Sequence, residues 1–402
     1  MLQPNADVLI SALTGSGNYS GGRYHAWIMA EALASRSHNV TFWGNQYPLY
    51  GNDFKDYEAH KRIKFHGKNR APSWSTSSNN RIVIVVPHTE RPFGRYYGAL
   101  LEAARSSARV VLLNFESPNW FNSMSPERRP EMLWDNWRLV AQHADGILSS
   151  SNEGARFASD YYNCRRSDCL LEYIHPAINS KVADSASEGR SEQIIAITRF
   201  GNGNKHKGGL DILHALGPWI RGRQLLLIVG RNGMEQSIES AFEKRCYEYG
   251  GELRILQGIS DYQKFTEIKR SRLMLFLSYF EGFGYPPVEA MYCGVPCIAY
   301  DLPVLRELGE TGVTFVARGD VNAVSAAASR ILSETSPSTN VRSFVEQQVG
   351  FEAYATKLDR FLKEICRNGK CHYSDKLHRK WLWRWKFENI ADYLSNRLQL
   401  FK

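Results

Sequence analysis

The chain has 402 residues and a mass of 45.8 kDa, which at about 100–200 residues per domain predicts two domains. Apolar residues make up 43% and charged residues 23%, which excludes wholesale disorder. No run approaches the ~18–20 apolar residues of a membrane span, and the net charge of +9 favours a polyanionic partner: nucleic acid, an anionic membrane face or a phosphorylated small molecule.

Met1 to Asp7 lacks the basic-then-apolar pattern of a secretion signal, so the expected location is the cytoplasm, with peripheral attachment to the inner face of the membrane. The cysteine pairs Cys164/Cys169, Cys293/Cys297 and Cys366/Cys371 never show the two-residue gap of a zinc knuckle. They are read as reduced, structural thiols, and no metal ligand is expected.

In chain order, Val8–Ile10 is a short apolar run, and the glycine-rich Gly15–Gly22 reads as a loop. Tyr24–Arg36 repeats its apolar residues at helical spacing, and Val40–Trp43 is a second strand. Further strands are predicted at Arg81–Val86, Val110–Leu113 and Gly146–Leu148, with a helix over Tyr96–Arg105. Strands alternating with helices predict a parallel sheet covered on both faces. The polar stretch Lys181–Ser191 then reads as a linker. Beyond it the alternation restarts, with strands expected at Ile194–Ile197, Leu225–Val229, Leu253–Leu256, Leu273–Leu277, Pro296–Ala299 and Val313–Val316.

The expected architecture is therefore α/β: two doubly wound, Rossmann-like domains over 1–183 and 192–348, then a helical, basic, Trp-rich segment over 349–402, with packing of part of it back on the first domain as an open reading. Ligands of open parallel sheets bind beyond the carboxyl ends of the strands. Two such sheets predict a cleft with one substrate on each side.

Gly15, Gly17 and Gly21 lie between a strand and a helix, near the spacing of a dinucleotide fingerprint. The following strand ends Trp43-Gly-Asn-Gln46 with no carboxylate for a ribose, which argues against a nicotinamide cofactor. A glycine loop that lets a ligand reach backbone N–H groups, or a plain tight turn, are the remaining readings.

The sharpest motif is Glu281-Gly-Phe-Gly-Tyr-Pro-Pro-Val-Glu289-Ala-Met, after the strand Leu273–Leu277. Gly282 and Gly284 allow close backbone approach. Pro286 and Pro287 suit the start of a helix, expected over Val288–Tyr292, whose N-terminus would face phosphate. Glu289 is expected in its first turn, facing the same crevice, and Glu281 before the loop. Such carboxylates accept hydrogen bonds from sugar hydroxyls. Taken singly, each has a plainer reading, as a helix-terminal or solvated charge.

This segment resembles the signature of the retaining glycosyltransferases of family 4, which have the GT-B fold. Other segments resemble that family in order: Gly21-Gly22, Ala144–Ser150, Thr198-Arg199 with Lys207-Gly208, Gly258–Asp261 and Asp301–Glu307. The resemblance implies a nucleotide-diphosphate sugar donor held by the second domain, with no further cofactor. It implies Glu289 on the ribose, backbone N–H groups of Gly282, Phe283 and Gly284 on the diphosphate or sugar, and Glu281 near the reacting centre. Tyr285, Ile259, Gly21 and Gly22 would complete the donor site. Arg199 and Lys207 would neutralise the departing diphosphate. No Asp-x-Asp triplet occurs, so these cations are expected in place of a metal.

Two departures stand out. Lys205 keeps the shorter spacing from Arg199, whereas Lys207 keeps the following glycine. The histidine usual at the end of a first-domain strand is replaced by Glu116, with His88 as the alternative acceptor-side group.

From Glu352 to Lys402 there are twelve Lys/Arg against six Asp/Glu. Trp381, Trp383 and Trp385 among basic residues suit an anionic membrane interface over 376–387, or packing between domains; single-stranded nucleic acid is a third reading.

The expected activity is transfer of a sugar to an acceptor hydroxyl, of a saccharide or lipid-linked saccharide. Alternatives are a sugar-nucleotide epimerase or phosphorylase on the same fold, or a non-enzymatic basic binding protein. The last leaves the paired glutamates around a glycine loop unexplained.

Overall fold

The computed structural model describes residues 5–12, 20–67, 72–74, 80–88, 94–162, 169–230, 233–309, 311–334, 341–368 and 374–399. Gly15 and Gly17 lie outside them. The chain forms two compact units: residues 1–119, 129–176 and 354–402 in one, and 120–128 with 177–353 in the other.

The first unit holds seven strands: β1 (Asp7–Ser11), β2 (Asn39–Trp43), β3 (Lys64–His66), β4 (Arg81–Val85), β5 (Arg109–Asn114), β6 (Gly146–Ser149) and β7 (Leu170–Tyr173). They pair in parallel in the order β3-β2-β1-β4-β5-β6-β7. β4 and β5 are buried almost throughout, as a sheet covered on both faces requires. The strands β3 and β7, which the apolar pattern does not reveal, are the two edges. Lys64-Phe-His66 has one apolar residue, and β7 is half-buried to exposed. An edge strand covered poorly on its faces has no need of a continuous apolar run.

The second unit holds β8 (Gln193–Thr198), β9 (Gln224–Val229), β10 (Glu252–Gln257), β11 (Ser271–Phe276), β12 (Cys297–Tyr300) and β13 (Val313–Val316). Their order, β10-β9-β8-β11-β12-β13, is again all parallel. In both sheets the strand order reverses once, between β1 and β4 in the first and between β8 and β11 in the second. Such a switch point leaves a crevice at the carboxyl ends of the two central strands.

One expectation needs correction. Part of the polar stretch read as a linker is the helix Ser180–Ser185, in the second unit, with Val182 and Ala183 buried. The pattern missed it because only these small apolar residues face inward. Residues 354–402 of the tail belong to the first unit. In the helix Phe351–Arg367, Tyr354, Leu358, Phe361, Leu362 and Ile365 are buried. A Cβ on Gly146 of β6 would stand 2.2 Å from Ile365 Cδ1, so the helix rests directly on the strand. His25 Nε2 meets the Tyr354 hydroxyl at 2.8 Å, and burial pushes the His25 imidazole down to about 3.

In the helix Asp375–Gln399, the three tryptophans part company. Trp381 is buried edge-on to His143, with centroids 4.8 Å apart. Trp385 packs on the helix Gly94–Ser106, where a Cβ on Gly98 would be 2.8 Å from its Nε1. Only Trp383 of the three is exposed.

Candidate active site

In the second unit, the segments after β8 and β11 are tied together. Thr198 Oγ1, at the end of β8, donates to the Lys207 carbonyl at 3.0 Å. Past β11, the Tyr279 amide donates to the His206 carbonyl at 2.7 Å, and Ser278 Oγ donates to the same oxygen at 3.0 Å. Gly208 completes the join. Its φ is +60°, and a Cβ there would lie 1.8 Å from the Leu277 carbonyl oxygen. Only glycine allows this backbone approach and this left-handed conformation. The helix Gly209–Ala215 follows, and its Asp211 accepts from Tyr279 at 2.6 Å and Tyr300 at 2.5 Å.

This stitching delivers Lys207 Nζ to Glu281 Oε1 at 2.8 Å, with the two side chains 21% and 14% exposed. A pair so placed is partly desolvated yet open to a ligand. Lys205, two residues earlier, is exposed, so Lys207 is the lysine the fold brings to Glu281. Arg199 lies beside the start of the next loop, its Cγ 3.1 Å from where a Cβ on Gly230 would stand.

After Glu281 the chain turns through Gly282, Phe283 and Gly284. Gly284 has φ +94°, and a Cβ would meet Leu305 Cδ2 at 2.5 Å. The rings of Phe283 and Tyr285 are buried against each other at 5.2 Å, edge to face, so this loop offers backbone rather than ring to a ligand. The helix spans Tyr285–Tyr292, with Pro286 and Pro287 in its first turn. It thus begins three residues earlier than expected, because proline is tolerated at the first positions of a helix. Prolines carry no N–H, so the donors at this end are chiefly the loop amides.

The earlier start moves Glu289 into the second turn. It is 1% exposed, not open to the crevice as anticipated. Lys264 Nζ donates to its Oε1 at 2.6 Å and lies 3.0 Å from Asp261 Oδ1. Burial raises the Glu289 carboxyl above its usual range while the Lys264 ammonium opposes that rise. Lys264 was not singled out from the sequence; the capping box Ser260-x-x-Gln263 marks only the start of the helix Asp261–Arg270 that carries it. Ile259, half-buried, leads into that cap after Gly258 at φ +66°.

The first unit holds the remaining candidates. Gly21 and Gly22 open the helix Gly21–Ser35, where the N-cap Ser20 Oγ accepts from the Arg23 amide at 3.3 Å. A Cβ on Gly22 would be 2.7 Å from the Phe115 ring. His88, beyond β4, lies 3.4 Å from the Arg23 guanidinium through Nε2. Its backbone amide donates to the Tyr96 hydroxyl at 2.8 Å, and Asn136 Nδ2 donates to its carbonyl. Arg23, not marked by any motif, is thus joined to His88 at the first sheet's switch point. Glu116 is half-buried and accepts from Trp134 Nε1 at 3.1 Å.

Residues 180–348 match the family described as "Glycosyl transferases group 1". The serotype-specific mannosyltransferase WbdA of Escherichia coli is 36% identical over 50% of this chain and 26% of its own length. The O-antigen chain mannosyltransferase B of Escherichia coli is 30% identical over 68% of this chain and 65% of its own. The chain therefore spans less than two thirds of either relative. Among solved structures, Anabaena HepE in complex with UDP and glucose superposes with a TM-score of 0.66 at 13% identity, over 89% of this chain and 99% of that one. At that identity the likeness speaks for the fold alone. The switch-point geometry, the family match and the superposition agree: residues 180–348 match the group 1 glycosyl transferases, and the two Rossmann-like units are those of the GT-B fold.

Proposed function

We propose that the protein is a glycosyltransferase that moves a hexosyl group, with retention of anomeric configuration, from a nucleotide-diphosphate sugar to an acceptor hydroxyl of a saccharide or lipid-linked saccharide. The observation that carries this reading is the Lys207–Glu281 pair at the mouth of the Gly282–Gly284 turn. A cation, a carboxylate and a glycine-rich loop backbone meet there at a sheet switch point. Cleavage of the donor leaves a diphosphate with growing negative charge, which Lys207 and Arg199 stabilise without a metal. As the phosphate draws Lys207, Glu281 is released to meet the sugar. Glu289 receives the ribose hydroxyls by exchange with Lys264, while Glu116 or His88 serves the acceptor. Mannose is the favoured sugar, because the relatives named above are mannosyltransferases.

The test is a thermal-shift panel of nucleoside diphosphates, followed by transfer assays with the matching mannose and glucose donors with and without EDTA. A ligand at a hundred times its dissociation constant stabilises by about 2.7 kcal/mol. The expected result is one stabilising nucleotide and sugar transfer that survives the chelator. No shift with any nucleoside diphosphate would overturn the reading, and activity lost in EDTA and restored by a divalent ion would overturn its metal-free part.

A further inference from the structure

We propose that the outer face of the helix Asp375–Gln399 is a docking surface for an anionic lipid bilayer, on which the helix lies in the membrane plane. The helix has two apolar faces. One, with Trp381 and Trp385, is spent on the first unit. The other carries Trp383, Phe387, Ile390 and Leu394, which are 61%, 54%, 59% and 53% exposed. At about 100° per residue these four fall within an arc of about 60°. Trp383 and Phe387 already stack on each other, with centroids 5.6 Å apart and planes 13° from parallel.

The charges decide the partner. Lys386 and Arg384 flank the stripe on opposite sides, and Arg379 and Lys380 flank it one turn earlier; all four are exposed. Among the described side chains, no carboxylate falls on the arc between Lys386 and Arg384. A second copy of this helix would therefore set cations against cations with no acid to receive them. An anionic bilayer offers hydrocarbon to the stripe and headgroup phosphates to both flanks at once. The stripe spans about 17 Å of helix, and no described helix is long and apolar enough to cross a membrane, so the helix lies on the surface. The surface differs from the sequence-based expectation: of the three tryptophans only Trp383 takes part, joined by Phe387, Ile390 and Leu394.

The full chain is sedimented with vesicles of equal parts phosphatidylethanolamine and phosphatidylglycerol, and with phosphatidylcholine alone. Two double variants are compared, Phe387→Ser with Ile390→Ser and Arg384→Glu with Lys386→Glu. These positions face outward, and circular dichroism checks their folding. The expected result is binding to the anionic vesicles only, weakened by salt, and at least about tenfold weaker in each variant. The charge reversal keeps the test open if the apolar variant fails to fold. Equal binding by wild type and both variants would overturn the proposal, as would absence of binding by the wild type. A wild-type dimer in light scattering that Phe387→Ser with Ile390→Ser dissociates, without vesicle binding, would assign the stripe to a second copy instead.

Discussion

The two units share one sheet order yet use their switch points differently. In the second, the backbones after β8 and β11 touch through Gly208 and Leu277, and the contact sets Lys207 against Glu281. In the first, Gly22 is small because the Phe115 ring lies over it, and the neighbouring polar side chains of Arg23 and His88 meet each other, while the His88 amide donates to the Tyr96 hydroxyl. A glycine at a helix start thus serves close backbone approach in one unit and ring packing in the other. Sequence spacing alone does not separate the two uses; what the missing Cβ would strike does.

The contrast is broken most directly at the lysines. Lys207→Ala is expected to lower turnover by about 10²–10³-fold, the loss of one preorganised charge at a leaving group, with a smaller change in KM. Lys205→Ala, at an exposed side chain, should leave turnover near wild type. Steady-state transfer kinetics decide, and equal losses would mean that the Glu281 contact is not what matters.

The glycines sharpen it next. Gly208→Ala combines a left-handed φ with a backbone clash, and should cost about 2–4 kcal/mol of stability together with donor affinity. Gly22→Ala meets a ring that can shift, and should cost about 1–3 kcal/mol with donor affinity unchanged. Chemical denaturation and calorimetric titration of the donor read both quantities. Loss of donor binding in Gly22→Ala would erase the distinction.

The smallest effect belongs to the first unit alone. Glu31 is fully buried, and its Oε1 lies 3.0 Å from Trp27 Nε1 and 2.5 Å from His60 Nδ1. Burial pushes the Glu31 carboxyl up to about 8 and His60 below its ordinary 6.5. Between about pH 6.5 and 8 the folded state therefore holds a Glu31 proton that the unfolded chain has released, and stability falls as pH rises. Below 6.5 the unfolded chain regains a proton on His60, which offsets that difference. Unfolding midpoints against pH should show an alkaline decline worth about 1–2 kcal/mol, absent in Glu31→Gln. A decline that persists in the variant would place its origin elsewhere.

Most of the sheet framework was legible because buried parallel strands are written as apolar runs. The edges β3 and β7 were not, since edge strands need no such run. Of the site, Glu281 and Lys207 were legible as types and positions, but their pairing depends on hydrogen bonds from Thr198 and Ser278 whose partners lie about ten and seventy residues away in sequence. Glu289 was legible as a motif residue and misplaced as an exposed one. The two prolines shift the helix start, and Lys264, a whole helix away, covers the carboxylate.

The contact between Gly146 and Ile365 bears on how the protein is made. The core of the first unit stays incomplete until the helix Phe351–Arg367 has left the ribosome, after the whole second sheet has been synthesised. The later-made sheet can close first, while the earlier one waits with the His25 and β6 surface uncovered. Domains usually fold as units in the order of their synthesis; here that order is reversed for the final step, and a chain cut after Pro176 would leave the ribosome with its apolar sheet face open to aggregation.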